Sequence, residues 1–130
     1  MILALRTDKP EAEIYLLNAN WDMKGQIVWQ AHRELSSTLI EQIENLLKSN
    51  NLKLSELAGI IVFQGPGSFT GLRIGITVVN TLAYSLNIPN VAAQGEEWFR
   101  SGLEKLKNQS SIQIIQPEYG QPPHITKPRK

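Results

Sequence analysis

The chain has 130 residues, enough for one domain with a modest core, and its 42% hydrophobic and 19% charged residues are ordinary for a soluble globular protein. Its thirteen basic and twelve acidic residues give a net charge of +1, so the global basic excess typical of nucleic-acid binders is absent. The chain has no cysteine, which excludes disulfides, thiolate nucleophiles and cysteine-bound metals. No apolar run approaches the roughly 18 residues of a membrane-spanning helix. The expected location is the cytoplasm.

Three short segments rich in β-forming residues open the sequence. Residues 2–6 (ILALR) are predicted to form a buried strand, residues 13–18 (EIYLLN) a second strand and residues 25–32 (GQIVWQAH) a third. The connections TDKPE and NANWDMKG are short and polar, as hairpin turns require. The sequence therefore predicts three consecutive strands joined by turns.

An amphipathic helix is predicted after the third strand. Ser36, Ser37 and Thr38 offer hydroxyl groups that can cap its start, and it is expected to end near Ser49. Its apolar residues recur at spacings of three and four, which is the pattern of a helix that covers a core with one face. These residues are Leu35, Leu39, Ile43, Leu46 and Leu47.

The second half of the chain alternates strands and helices. Residues 58–63 (AGIIVF) form an unbroken apolar run that indicates a central, parallel strand. Residues 72–86 are apolar on most sides of a helix, which predicts burial between layers. A short strand at 91–93 and a third helix at 96–107 follow, and residues 112–115 are predicted to form one more strand.

The order of the elements is β-β-β-α-β-α-β, which predicts an α/β domain with a mixed sheet of about five strands flanked by helices. We place this domain at residues 1–110 and assign residues 111–130 to a C-terminal strand and an extended, proline-rich basic tail. Lys127, Arg129 and Lys130 in the tail can contact RNA phosphates or remain a solvated basic end.

The most unusual stretch is GPGSFTGLRIG, residues 65–75, which lies between the apolar run and the second helix. Its first glycines and its proline suit a tight turn. The backbone N–H groups of such a turn point to the space above the helix N-terminus, where an anion can bind. Ser68 or Thr70 can cap that helix. The residues of this glycine loop with a candidate role are Gly65, Pro66, Gly67, Ser68, Phe69, Thr70 and Arg73.

Two further glycines of this stretch, Gly71 and Gly75, lie one helical turn apart. Glycine within a helix costs about 1 kcal/mol relative to alanine, so the pair predicts close approach of another backbone, with Arg73 pointing away from that contact. The spacing matches neither a Walker loop, nor a dinucleotide-binding loop, nor the G-x-S-x-G elbow. The residues alone leave tight packing, anion binding and a partner interface open.

The motif GPGSFTGLRIG, preceded by AGIIVFQ and followed by a long helix and NIPNVA, resembles the TsaB (YeaZ) family. MILALRT is similar to the family's first strand, and ELSSTLIEQIENLLKSNNLKLSEL to its first helix and connection. The resemblance covers residues 1–95 and implies an RNase-H-like lobe of the actin, sugar-kinase and Hsp70-like superfamily. Members usually have two such lobes. This chain has room for the first, and PEYGQPPHITKPRK is similar to the extreme C-terminus of full-length members, as expected if most of the second lobe is missing.

The resemblance implies a function as a non-catalytic partner subunit. TsaB proteins pair with TsaD, the homologous subunit that holds a metal and transfers the threonylcarbamoyl group to adenosine 37 of tRNA, and a TsaE-like ATPase joins the pair. A TsaB-like chain is thus expected to need no cofactor, to bind no metal or membrane, to reach tRNA through the complex, and to be able to form a homodimer.

In the family, pairing uses two helices, which correspond here to about residues 36–49 and 70–86. The candidate partner contacts are Gly71, Leu72, Gly75, Ile76, Val79, Asn80 and Ala83. For each of these positions the alternative is a place in the chain's own core. Leu39, Ile43 and Leu46 of the first helix are expected to cover the sheet, which leaves the exposed flank of that helix for the partner.

The sequence departs from the family pattern at the end of the first strand. Full-length members usually carry Asp-Thr-Ser there, and this chain has Arg6, Thr7 and Asp8. A magnesium–nucleotide site needs well-placed carboxylates, so nucleotide chemistry by the chain itself is not expected.

Two alternatives come from other functional classes. One is a small ATP-binding enzyme that uses the glycine loop, or a peptidase-like enzyme in which Ser68 and His32 form the only visible nucleophile–base pair. The other is a self-associating structural dimer. His32 and His124 are expected to be surface or hydrogen-bonded residues, because a metal site needs more donors nearby.

Overall fold

The structure, a computed structural model, describes residues 1–118, in which five strands form one mixed sheet. The strands are Ile2–Arg6 (β1), Glu11–Leu17 (β2), Met23–Gln30 (β3), Gly59–Gly65 (β4) and Asn90–Gln94 (β5). The helices are Leu35–Ser49 (α1), Phe69–Leu86 (α2) and Trp98–Asn108 (α3), with short 3₁₀ helices at His32–Glu34 and Leu54–Glu56. The spatial order is β3-β2-β1-β4-β5, and β1 is antiparallel to β2 and parallel to β4. The predicted RNase-H-like sheet is confirmed.

The two faces of the sheet are covered by different helices. Gly25 of β3 lies beneath the Leu46 side chain of α1, and α2 packs beside α1 over the central strands. The neighbouring residue Gln26 pairs with Tyr15 of β2, so both point to the opposite face. On that face the rings of Tyr15 and Phe99 of α3 lie 5.1 Å apart. The central strands β1 and β4 are therefore buried from both sides, as the apolar run in β4 predicted.

The hairpin strands begin earlier than expected. β3 spans Met23–Gln30 where residues 25–32 were predicted, and β2 begins at Glu11. β3 also ends two residues earlier than predicted, because the backbone N–H groups of Ala31 and His32 both donate to the carbonyl oxygen of Pro10. His32 then adopts a positive φ of 47°, which ends the strand and starts a 3₁₀ turn.

Helix α1 follows the predicted apolar stripe, but its start is not capped as predicted. Its N-cap residue is Glu34, and no side chain caps the helix there. Instead, Ser37 Oγ and Thr38 Oγ1 donate to the carbonyl oxygen of Glu34 at 3.0 and 2.7 Å. Thr38 Oγ1 also accepts a hydrogen bond from Trp29 Nε1, which ties α1 to β3. The buried residues of α1 are Leu35, Leu39, Ile43, Leu46 and Leu47.

The predicted strand at residues 112–115 is wrong. Residues 112–118, hereafter the strap, belong to no strand, and side-chain amides bind backbone atoms that a neighbouring strand would otherwise pair with. Asn90 Oδ1 accepts from Gln113 N, and Asn90 Nδ2 donates to Gln113 O, both at 2.9 Å. Asn80 Oδ1 and Nδ2 likewise bind Ile115 N and O at 3.2 and 3.1 Å. The strap is therefore fastened across α2 and β5 by two asparagines.

Beyond the strap, the predicted basic tail with His124, Lys127, Arg129 and Lys130 lies outside the described residues. Within residues 1–118, no helix has both the length and the apolar content needed to cross a membrane. Helix α3 begins at Trp98, two residues later than predicted, where the Trp98 N–H donates to the carbonyl oxygen of Gly95.

Candidate functional site

The glycine loop connects β4 to α2 and is held by the end of β1. Ser68 is the N-cap of α2, and its Oγ accepts a hydrogen bond from Gly71 N at 3.5 Å. The Ser68 N–H donates to the carbonyl oxygen of Asp8 at 3.2 Å. Gly65 has a φ of 123°, which favours glycine, and its α-carbon faces the carbonyl oxygen of Glu118 in the strap. Of the two predicted caps, Ser68 is confirmed and Thr70 is not.

The helical glycines make the predicted close approach, and their neighbour is Thr7, the residue that follows β1 in the same chain. A β-carbon on Gly71 would collide with the carbonyl oxygen of Thr7, and one on Gly75 would collide with Thr7 Oγ1. Thr7 is buried and its hydroxyl donates to the carbonyl oxygen of Gly71 at 2.8 Å. The two glycines therefore let α2 cross directly over the end of β1.

The acid at the end of β1 is neutralised within the chain. Arg6 Nε and Nη2 donate to the two carboxylate oxygens of Asp8 at 2.7 and 3.1 Å. The Asp8 side chain is only 7% exposed, and the guanidinium carbon of Arg6 lies 3.9 Å from the ring centroid of Phe63. A bidentate pair of this kind fixes both side chains, so both oxygens of the Asp8 carboxylate already have partners.

A cavity of about 700 Å³ opens beside the N-terminus of α2. It brings His32 and Ser68 into one site, as the peptidase alternative requires, but Ser68 Oγ caps α2. Across residues 1–118, no three histidine, aspartate or glutamate side chains are grouped so that they could hold a metal ion. The cavity is lined by Lys9, Pro10, Gln30, Ala31, His32, Arg33, Glu34, Leu35, Ser68, Thr70, Gly71 and Ile74.

Most of the residues predicted to touch a partner lie on the inner face of α2. The buried ones are Leu72, Gly75, Ile76, Val79 and Ala83. Gly71 lies against Thr7, and Asn80 is half-buried and bound to the strap. Within this chain the apolar stripe of α2 faces its own sheet, and contact of these positions with a partner stays a prediction. The exposed residues of α2 lie away from the sheet.

The outer side of α2 forms a shallow groove with α1, which was not among the predicted sites. The groove has a volume of about 370 Å³, and its only charged lining residue is Arg73. Ile40 of α1 is 42% exposed and Tyr84 of α2 is 78% exposed on the same pair of helices. The signal for it was a second apolar row beside the buried stripe, which made α2 apolar on most sides. The lining residues are Ser36, Thr70, Arg73, Ile74, Thr77 and Val78.

The chain is similar to proteins of one tRNA-modification system. A family model described as TsaD, tRNA N6-adenosine threonylcarbamoyltransferase, matches residues 24–96. The tRNA threonylcarbamoyladenosine biosynthesis protein TsaB of Bacillus subtilis (strain 168) is 34% identical over 96 residues, which are 74% of this chain and 42% of that protein. The tRNA N6-adenosine threonylcarbamoyltransferase of Wigglesworthia glossinidia brevipalpis is 44% identical over 50 residues, which are 38% of this chain and 15% of that protein.

The fold agrees with the sequence comparison. The structure of YeaZ from Pseudomonas aeruginosa superposes with a TM-score of 0.66 and 31% identity, over 72% of this chain and 43% of that one. This chain thus spans about two fifths of the length of its TsaB and YeaZ relatives. It belongs to the family of tRNA N6-adenosine threonylcarbamoyltransferase domains, and its relatives and its fold place it with the TsaB (YeaZ) members.

Proposed function

We propose that this chain is a non-catalytic partner subunit that binds a TsaD-like catalytic subunit in the threonylcarbamoylation of tRNA adenosine 37. The observation that carries the proposal is the outward groove between α1 and α2, which lies within the residues matched by the TsaD family model. In this proposal the TsaD-like subunit performs the chemistry, and a TsaE-like ATPase and the tRNA are reached through that subunit in the cytoplasm.

The groove suits a partner of the same family. The family model spans both α1 and α2, so a TsaD-like subunit is expected to present a similar pair of helices. Two such pairs can pack ridge into groove across a pseudo-two-fold axis. Interface cores are poor in charged residues, and Arg73 is the one charge among the six lining residues. A homodimer through the same face is the competing outcome of the binding experiment.

The ion pair at the end of β1 supports a non-catalytic role. By resemblance, catalytic relatives carry an aspartate at the position of Arg6, near their metal and phosphates. Here the nearest acid, Asp8, is nearly buried and binds Arg6 through both of its oxygens. Calorimetric titration of the chain alone with magnesium and ATP is expected to give no binding signal, and tight magnesium-dependent binding would favour the enzyme alternative.

The proposal predicts that Thr77→Arg weakens binding to the TsaD-like subunit of the same organism. Thr77 lines the groove and is exposed, so arginine there leaves the fold intact but places bulk and charge in the contact. We expect the Kd from isothermal titration calorimetry to rise by about tenfold or more, which corresponds to about 1.4 kcal/mol.

The matched control is Gln26→Arg, which adds the same charge on the sheet face opposite α1 and α2. It is expected to bind like the wild type. The proposed function is wrong if the wild-type chain and the TsaD-like subunit elute separately at micromolar concentrations. A wild-type chain that elutes only with itself would support the homodimer instead.

A further inference from the structure

The strap presents an isoleucine to solvent in a fixed position. Ile114 is 81% exposed, although the residues on both sides of it are bound through their backbone atoms by Asn90 and Asn80. Gln64 adds a further tie, since its Nε2 donates to the carbonyl oxygen of Gln116 at 2.8 Å. An exposed apolar side chain needs no explanation by itself, but one on a segment whose backbone is fixed by two asparagine side chains is preorganised for contact.

A second groove lies between α2 and the strap. Its volume is about 290 Å³, and it shares Arg73 and Thr77 with the groove between α1 and α2. Helix α2 is therefore a ridge with a groove on either side, and the two grooves form one continuous surface. The remaining lining residues of the second groove are Ile76, Asn80, Ile114, Ile115, Gln116 and Pro117.

The size of a stable interface requires a surface larger than the first groove. Specific complexes bury about 800 Å² on each partner, from roughly 20–30 residues, whereas six residues line the groove between α1 and α2. The contact must extend to one side. On the side of the α2 N-terminus lie Lys9, Arg33 and Glu34, and on the other side lies the second groove, which includes Ile114 and Pro117 and has Arg73 as its one charged lining residue. Because interface cores are depleted of charge, the strap is the favoured direction.

We infer that the strap forms the second wall of the partner surface and that Ile114 anchors the TsaD-like subunit against α2. This inference rests on the proposed function and adds a contact to it. The residues that hold the strap, Asn80 and Asn90, lie inside the region 24–96 matched by the family model, whereas the strap itself lies beyond it. The chain thus supplies this contact from a segment outside the matched region.

The test is Ile114→Asp in the full chain, titrated with the TsaD-like subunit. We expect the Kd to rise by about tenfold or more, because a charged carboxylate would replace the apolar contact and would have to be desolvated in the interface. The control is Met23→Asp, which removes a similarly apolar side chain, 45% exposed, from the far edge strand β3. Met23→Asp is expected to bind normally, and Ile114→Leu is expected to restore most of the affinity.

A second variant tests whether the strap must be fixed. Asn80→Ala removes both hydrogen bonds to Ile115 and leaves the Ile114 side chain intact. We expect faster hydrogen exchange of the Ile115 amide and weaker binding. The inference is overturned if Ile114→Asp binds with unchanged affinity. It is also overturned if Asn80→Ala binds with unchanged affinity although its Ile115 amide exchanges faster. If Thr77→Arg still weakens binding in that case, the proposed function survives without the strap contact. If the wild type does not bind at all, the proposed function itself has failed.

Discussion

Replacing Gly75 with alanine is expected to destabilise the fold by about 2–3 kcal/mol, although alanine is the better helix former by about 1 kcal/mol. The new β-carbon would collide with Thr7 Oγ1, which is buried and fixed by its hydrogen bond to the carbonyl oxygen of Gly71. Helix α2 would have to move away from the end of β1. Urea unfolding followed by circular dichroism measures the loss.

Two companion variants identify the cause. Gly25→Ala is the control, because its β-carbon would meet the ends of the flexible Leu46 and Asn50 side chains, which can shift. The double variant Thr7→Ala/Gly75→Ala removes the colliding hydroxyl, so its loss is expected to be smaller than the sum of the two single losses. A fully additive double variant, or a Gly75→Ala chain as stable as the wild type, would contradict the contact between α2 and β1.

Replacing Arg6 with alanine is expected to cost about 3 kcal/mol of unfolding free energy. The change leaves the Asp8 carboxylate nearly buried without its bidentate partner, and removing one member of a buried pair is costly for that reason. It also removes the cation that lies over the Phe63 ring. Thermal unfolding at neutral pH, with urea unfolding as a second measure, checks the result.

The exposed pair of Lys9 and Glu13 provides the control. Its Nζ–Oε2 distance is 3.3 Å and the lysine side chain is 46% exposed, so Lys9→Ala is expected to cost less than about 1 kcal/mol. Arg6→Lys is expected to recover only part of the loss, since an ammonium cannot form the two-pronged bond and stack on the ring. Equal losses of unfolding free energy for Arg6→Ala and Lys9→Ala would mean that the Arg6–Asp8 pair stabilises the fold no more than an exposed ion pair does.

The sequence predicted the parts of the fold that depend on local patterns. The apolar stripe of α1 and the unbroken run of β4 specify burial directly, and both elements formed as expected. The predicted final strand failed for a different reason. IQII is a plausible strand by composition, but the partners of its backbone are side chains 23 and 35 residues away, Asn90 and Asn80. No pattern within the segment reveals such partners.

The sequence predicted that the helical glycines make a close contact, but not which residue they contact. The spacing of Gly71 and Gly75 predicted a close approach, yet the glycines do not identify the neighbour, which proved to be Thr7. A helix that is apolar on most sides gives no sequence signal for which side faces the sheet. Most of the α2 residues that were expected at an interface lie on its buried side. A second apolar row, with Ile74 and Val78, lines the outer groove.

Two asparagine side chains hold the strap through its backbone atoms, so the side chain at position 114 takes no part in that attachment. Asn90 and Asn80 bind backbone atoms of Gln113 and Ile115, and neither asparagine contacts the backbone of the residue between them through a described hydrogen bond. Position 114 can therefore change from isoleucine to almost any other amino acid while the segment stays in place. In the proposed complex, single substitutions at position 114 would therefore change partner preference with little effect on folding.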